Sequence, residues 1–114
     1  MLKNLNLLVL RCRDLDRAKI FYGLLGMSFQ SEQHGKGPVH YSCTDDAGVF
    51  ELYPAKDGIP DQTGLGFGTD NLEALHQSIR EGHFAPEEIR DTPWGRSFVV
   101  RDPDGRRVEL KARN

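Results

Sequence analysis

Two stretches of this chain share one design, and a design used twice constrains the fold more than any single motif does. His40-Tyr41-Ser42-Cys43-Thr44 and Val49-Phe50-Glu51-Leu52-Tyr53 flank Asp45-Asp46-Ala47-Gly48, a strand–turn–strand pattern. Pairing Ser42 with Glu51 gathers Tyr41, Cys43, Phe50 and Leu52 on one face and leaves His40, Ser42, Thr44, Val49, Glu51 and Tyr53 on the other. Near the C-terminus, strand-like runs flank Asp102-Pro103-Asp104-Gly105, where Pro presets φ and Gly supplies a positive φ. Pairing Val99 with Glu109 puts Phe98, Val100, Val108 and Leu110 on an apolar face. Ser97, Val99, Arg101, Arg107 and Glu109 then share the opposite one. Both hairpins end in Glu-Leu with the glutamate off the apolar face, and 109 − 51 = 58 positions separate the two, about half of the 114 residues.

The earlier part of each half agrees. An apolar run from Leu5 to Cys12 leads into Asp14, an N-cap candidate, followed by Leu15, Ala18, Tyr22 and Leu25 at helical spacing and Gly26 at the expected stop. Leu65 to Thr69 leads in the same way into Asp70 with Glu73, approximating a capping box. A stripe of Leu72, Leu75 and Ile79 follows, and Gly82 ends the helix. Further strands are expected at Ser28 to Gln33 and Ala85 to Asp91. Each half therefore reads strand, helix, strand, strand, strand. The expected organisation is one domain over residues 1–114, with module one at about 1–54, a Pro-, Gly- and Asp-rich linker at about 54–63, and module two at about 64–114.

Composition narrows the classes. A net charge of −2 with 38% apolar residues carries no basic excess that suits nucleic acid, and no apolar run is long enough for a membrane span. The N-terminal apolar run belongs to the first strand, so no signal peptide is expected. Cys12 and Cys43 lack CxxC spacing and read as reduced thiols of a cytoplasmic protein.

In order and spacing, residues 13–22 (Arg-Asp-Leu-Asp-Arg-Ala-Lys-Ile-Phe-Tyr), Phe50-Glu51-Leu52-Tyr53, Pro93-Trp94-Gly95-Arg96 and Asp102-Pro103-Asp104-Gly105 with Glu109-Leu110 resemble the vicinal-oxygen-chelate superfamily. That superfamily includes glyoxalase I, bleomycin and fosfomycin resistance proteins and extradiol dioxygenases. The resemblance implies an α+β fold of two βαβββ modules in a curled, mostly antiparallel, cup-shaped sheet, completed by homodimer pairing. The concave face of such a sheet holds a divalent metal, or an organic ligand in members that have lost the metal.

By the same resemblance, the metal ligands come from the first and last strands of each module. Measured back from Asp14 and Asp70, the first-strand positions are Leu7 and Gly64, and the last-strand positions are Glu51 and Glu109. Neither Leu nor Gly has a ligating side chain, and two carboxylates alone are a poor site for zinc, iron or nickel. The expected cofactor set is therefore none. A divalent metal, if present, would need His40 beside Glu51 and Glu109.

Parity places Gly64, Gly66 and Gly68 inward, either to allow tight curvature or, taken as three together, to widen a pocket. Arg11 matches a position that holds substrate carboxylates in glyoxalase I relatives, or is a solvated strand-end charge. Trp94 either stacks on a ligand or anchors a core. Ser97 aligns with a pocket position of fosfomycin-resistance relatives. Phe21 and Tyr22 pack the helix on the sheet, and His34, His76 and His83 read as loop or helix-surface residues. The resulting expectation is a homodimer binding a small organic molecule without metal, through Glu51, Glu109, Arg11, Trp94, Ser97 and His40. The alternative is a metal-dependent lyase, isomerase or dioxygenase with an altered ligand set.

Overall fold

A computed structural model describes residues 1–113. Contacts divide the chain into two compact units, Met1–Asp61 and the residues from Gln62 onward. In the first, strand β1 (Leu7–Cys12) leads to helix α1 (Leu15–Leu24), then strands β2 (Gln30–Glu32), β3 (His40–Asp45) and β4 (Gly48–Pro54). In the second, β5 (Leu65–Thr69) leads to α2 (Leu72–Glu81), then β6 (Arg90–Thr92), β7 (Gly95–Arg101) and β8 (Arg107–Ala112). Each unit is thus a βαβββ module. The strand orders, β1-β4-β3-β2 and β5-β8-β7-β6, are the same in both.

Each sheet is mixed. The first strand pairs in parallel with the last, and the other two pairings are antiparallel. Ser42 faces Glu51 and Val99 faces Glu109, as the turn chemistry required. The equivalent parallel pairs are Val9–Glu51 and Gly66–Glu109. Their offsets, 66 − 9 = 57 and 109 − 51 = 58, fit the repeat read from the sequence.

Alternation decides which side of each sheet takes the helix. In module one Leu10, Cys12 and Leu52 are buried with Ala18, Phe21 and Tyr22 of α1. The Tyr22 ring meets Phe21 edge-on at 4.9 Å and Phe50 at 5.1 Å. In module two Phe98, Val100, Val108 and Leu110 are buried, as are Leu72 and Ile79 of α2. Burying side chains of this size is worth about 1.5–3 kcal/mol each, which pins the register of both sheets.

The helix ends follow one scheme with different residues. Asp14 caps α1, its carboxylate accepting from the Arg17 N–H, and Gly26 (φ +103) follows the last turn while Met27 N–H returns to Tyr22 O. In α2 the cap is Asn71, whose Oδ1 accepts from the Ala74 N–H, and not Asp70. The left-handed residue there is His83 (φ +67), one past Gly82, with Phe84 N–H returning to Ile79 O. Two strands are shorter than expected. The stretches around Gln30–Glu32 and Arg90–Thr92 form three-residue strands; before Arg90, Pro86 cannot donate to a ladder, and the Glu87 N–H to Val99 O bond stands outside the strand. No helix among the described residues is long and apolar enough to cross a membrane.

Candidate functional site

The face of each sheet turned away from its helix carries the polar side chains. In module one Tyr41 marks the helix side, because its hydroxyl donates to Asp16 of α1 at 2.6 Å. Alternation then sends His40 to the other side. There it belongs to a row that runs across all four strands: Arg11 on β1, Tyr53 on β4, His40 on β3 and Glu32 on β2. The Arg11 guanidinium carbon lies 4.8 Å from the Tyr53 ring centre, a cation–π distance, and the His40 ring stacks on Tyr53 at 4.0 Å and 12°. The next row holds Val9, Glu51, Ser42 and Gln30. Glu51 is largely covered, with 14% of its side chain exposed, and its Oε2 lies 3.6 Å from His40 Nε2.

His40 differs from a solvated strand histidine. It is 1% exposed, and its Nδ1 lies 3.2 Å from the carbonyl oxygen of Pro38. A carbonyl can only accept, so Nδ1 is the donor in this contact and Nε2 is the ring atom left to face the other side chains. That atom is buried and has no hydrogen-bond partner. Facing it at 3.4 Å is Oε1 of Glu32, and the ring of His34 stands 5.2 Å away. His34, expected to be a plain loop residue, is thus beside the row.

In module two the corresponding face carries Gly66, Glu109 and Val99 in one row, then Gly68, Lys111, Ser97 and Arg90 in the next. Ser97 and Glu109 come together in a groove of about 330 Å³, with Glu87, Arg90, Val99 and Arg107. Arg107 Nη2 stands 3.9 Å from Glu109 Oε2. A second hollow, of about 310 Å³, lies over Gly66 and Gly68, with Glu109 at its border. A Cβ at Gly64 or Gly66 would meet nothing within 4 Å, so no backbone presses on either position. At Gly68 the Arg113 side chain fills the room. The glycines at 64 and 66 therefore leave open space, and close approach of a backbone does not explain them.

Trp94 lines neither hollow of module two. It occupies the tip of the tight β6–β7 turn, where Thr92 Oγ1 accepts from its backbone N–H, and it is 77% exposed. A core anchor is ruled out by that exposure. Of the six expected site residues, module one brings Arg11, His40 and Glu51 onto one face, and module two brings Ser97 and Glu109 into one groove. Tyr53, Glu32 and His34 were not anticipated. The strand parity that selects His40 also selects Tyr53 and Glu32, whereas nothing local predicts that the turn after β2 folds His34 back.

The family profile of the Glyoxalase/Bleomycin resistance protein/Dioxygenase superfamily matches residues 4–110, and the chain belongs to that superfamily. Among solved structures, TnmS3, an antibiotic binding protein from Streptomyces sp. CB03234, has a TM-score of 0.81 at 22% identity, over 99% of this chain and 98% of that one. A glyoxalase/bleomycin resistance protein from the same organism gives 0.73 at 24% identity, over 96% and 99%. Lactoylglutathione lyase from Agrobacterium tumefaciens gives 0.66 at 21%, over 95% and 92%. No curated protein matches the chain. At these identities the likeness is one of fold.

The divalent metal of the superfamily's enzymes does not fit its usual positions here. Leu7 and Gly64 bring no donor atom, so the first and last strands of each module together supply a single carboxylate, Glu51 or Glu109. A transition metal is held by three or four protein donors, typically imidazole or thiolate among them.

Proposed function

We propose that the protein binds a small organic molecule against the helix-free faces of its sheets, with no metal at positions 7, 51, 64 and 109, in the manner of the resistance-type members of its superfamily. The observation that supports this most is the replacement of both first-strand ligand positions by Leu7 and Gly64 while the carboxylate at 109 stays beside accessible grooves. The antibiotic-binding relative of the same fold supports the ligand class. Glu51 and Glu109 favour a cationic or hydrogen-bond-donating ligand. Exposed Leu2, Leu5 and Leu7 favour a homodimer that covers them. We assign the protein to the cytoplasm, where Cys12 and Cys43 would stay reduced.

Calorimetric titration with bleomycin and with planar aromatic cations, in the presence of EDTA, tests this reading. It expects saturable binding that survives the chelator and weakens in Glu51→Gln and Glu109→Gln, with the fold of both variants intact. Turnover of a glyoxalase-type substrate that needs Glu51, Glu109 and added metal would replace this reading with that of an enzyme.

A further inference from the structure

The row on module one ends in a group of side chains that the binding of an organic ligand does not require. Antiparallel pairing sets Glu32 directly across from His40, so both project from the same face. The chain then turns at His34-Gly35-Lys36-Gly37, with Gly35 at φ +58 and the Gly37 N–H donating to His34 O at 3.0 Å. Gln33 Nε2 closes the same loop on Gly37 O at 2.9 Å. That turn swings the His34 ring over the strand pair. One donor atom each from Glu32, His34 and His40 then lies within 4.8 Å of the others. His40 Nε2 to Glu32 Oε1 is 3.4 Å, and His34 Nε2 to the same oxygen is 3.7 Å.

We infer that Glu32, His34 and His40 form a divalent transition-metal site within module one, separate from the strand positions used by the superfamily. Three observations carry this. Two donor distances, 3.4 and 3.7 Å from Glu32 Oε1 to the imidazole nitrogens, are near the roughly 3.3 Å that metal–ligand bonds of about 2.0–2.1 Å set in a tetrahedron. The set of two imidazoles and one carboxylate is the kind that zinc, nickel, cobalt or iron(II) prefers, with positions left for water or substrate. Above all, His40 Nε2 is buried, unpartnered and aimed into the cluster. Its Nδ1 faces the Pro38 carbonyl, the outer-shell contact by which proteins fix a ligating histidine's tautomer. Tyr53, stacked on the ring, holds its plane. Glu51 Oε2, 3.6 Å from the same nitrogen, adds a second negative charge that a divalent cation would offset.

The competing arrangement is an imidazolium of His40 shared by Glu32 and Glu51, with no metal affinity. Titration of the tag-free, EDTA-stripped protein with Zn²⁺ and Co²⁺ separates the two. We expect one equivalent bound, visible d–d bands for Co²⁺ and a rise in thermal midpoint. His34→Ala and Glu32→Gln alter accessible side chains and leave the core untouched. Each should weaken binding by at least the roughly 10–100-fold that even an outer-shell partner is worth. His76→Ala should change nothing. Absence of one-to-one binding in the wild type, or binding that His34→Ala and Glu32→Gln leave intact, overturns the assignment. Neither result bears on organic-ligand binding in EDTA, so this site and the proposed function stand or fall separately.

Discussion

Arg106 donates from Nη1 to Asp102 Oδ2 at 2.9 Å, and neither side chain reaches solvent. The same guanidinium reaches Asp104 at 3.1 Å, while Asp102 Oδ1 accepts from the backbone N–H groups of Asp104 and Arg106. The turn before the last strand is thus tied by a buried ion pair whose lone pairs are well used. Removing Asp102 leaves Arg106 with Asp104 and takes the acceptor from two backbone N–H donors, which costs about 1–3 kcal/mol. Asp102→Ala should lower the urea-unfolding free energy by that order. A loss under about 1 kcal/mol, the range of an exposed pair, would mean that water reaches Arg106.

The two candidate caps of α2 make opposite predictions. Asn71→Ala removes the acceptor for Ala74 N–H and should cost about 1 kcal/mol. Asp70→Ala should stay within about 0.5 kcal/mol, as for other surface changes. Thermal or urea melts of both variants decide which residue is the cap.

Glycines divide in the same way. At Gly48 φ is +137 and a Cβ would stand 2.5 Å from the Asn6 carbonyl oxygen, so Gly48→Ala should destabilise by more than about 1 kcal/mol. Gly66 has open space, and Gly66→Ala should raise stability by about 0.4–1 kcal/mol through the unfolded chain. Gly66→Phe should leave the melt close to wild type while reducing ligand affinity, a split that calorimetry and melts together reveal.

Tyr41 gives a pH signature. Its hydroxyl donates to Asp16, and that bond, with lesser contributions from burial and the carboxylate's charge, raises its pKa above 10.0. A raised folded-state pKa means that the neutral phenol is favoured by folding. The stabilisation is present below the unfolded value and is lost as pH climbs through the folded one. Ultraviolet titration of the wild type and of Tyr41→Phe should therefore differ by one phenol that ionises late. Glu73 has the opposite sign. Its pKa is lowered chiefly by the hydrogen bond from Arg96, so its contribution is present above 4.5 and fades as pH falls through the lowered value.

Much of this architecture was legible because turn chemistry fixes register and register fixes faces. Asp45 to Gly48 and Asp102 to Gly105 placed Ser42 opposite Glu51 and Val99 opposite Glu109, and alternation did the rest. Asp14 and Gly26 were legible as cap and stop for the same local reason. The strands at Gln30–Glu32 and Arg90–Thr92 were overextended because a three-residue strand is defined by its partner, not by its own pattern. Asn71 lost to Asp70 on paper because either side chain can cap, and only the backbone decides which is half a turn out. His40 was placed on the correct face, but its burial was invisible: a period of two tells the side of a sheet, not what covers it. The part played by His34 depends on a loop closing through Gly35, which no periodicity encodes.

Parallel pairing of first strand with last has a consequence for the order in which the chain can be built. Val9 must wait for Glu51, 51 − 9 = 42 residues later, and Gly66 for Glu109. Until the last strand of a module has emerged from the ribosome, β1 or β5 has no neighbour on its hydrogen-bonding edge, and the long loop between them must still be closed. Both sheets draw all their strands from within their own module. Synthesis therefore delivers the protein in two instalments, and the first sheet has every partner it needs before the second has begun to appear.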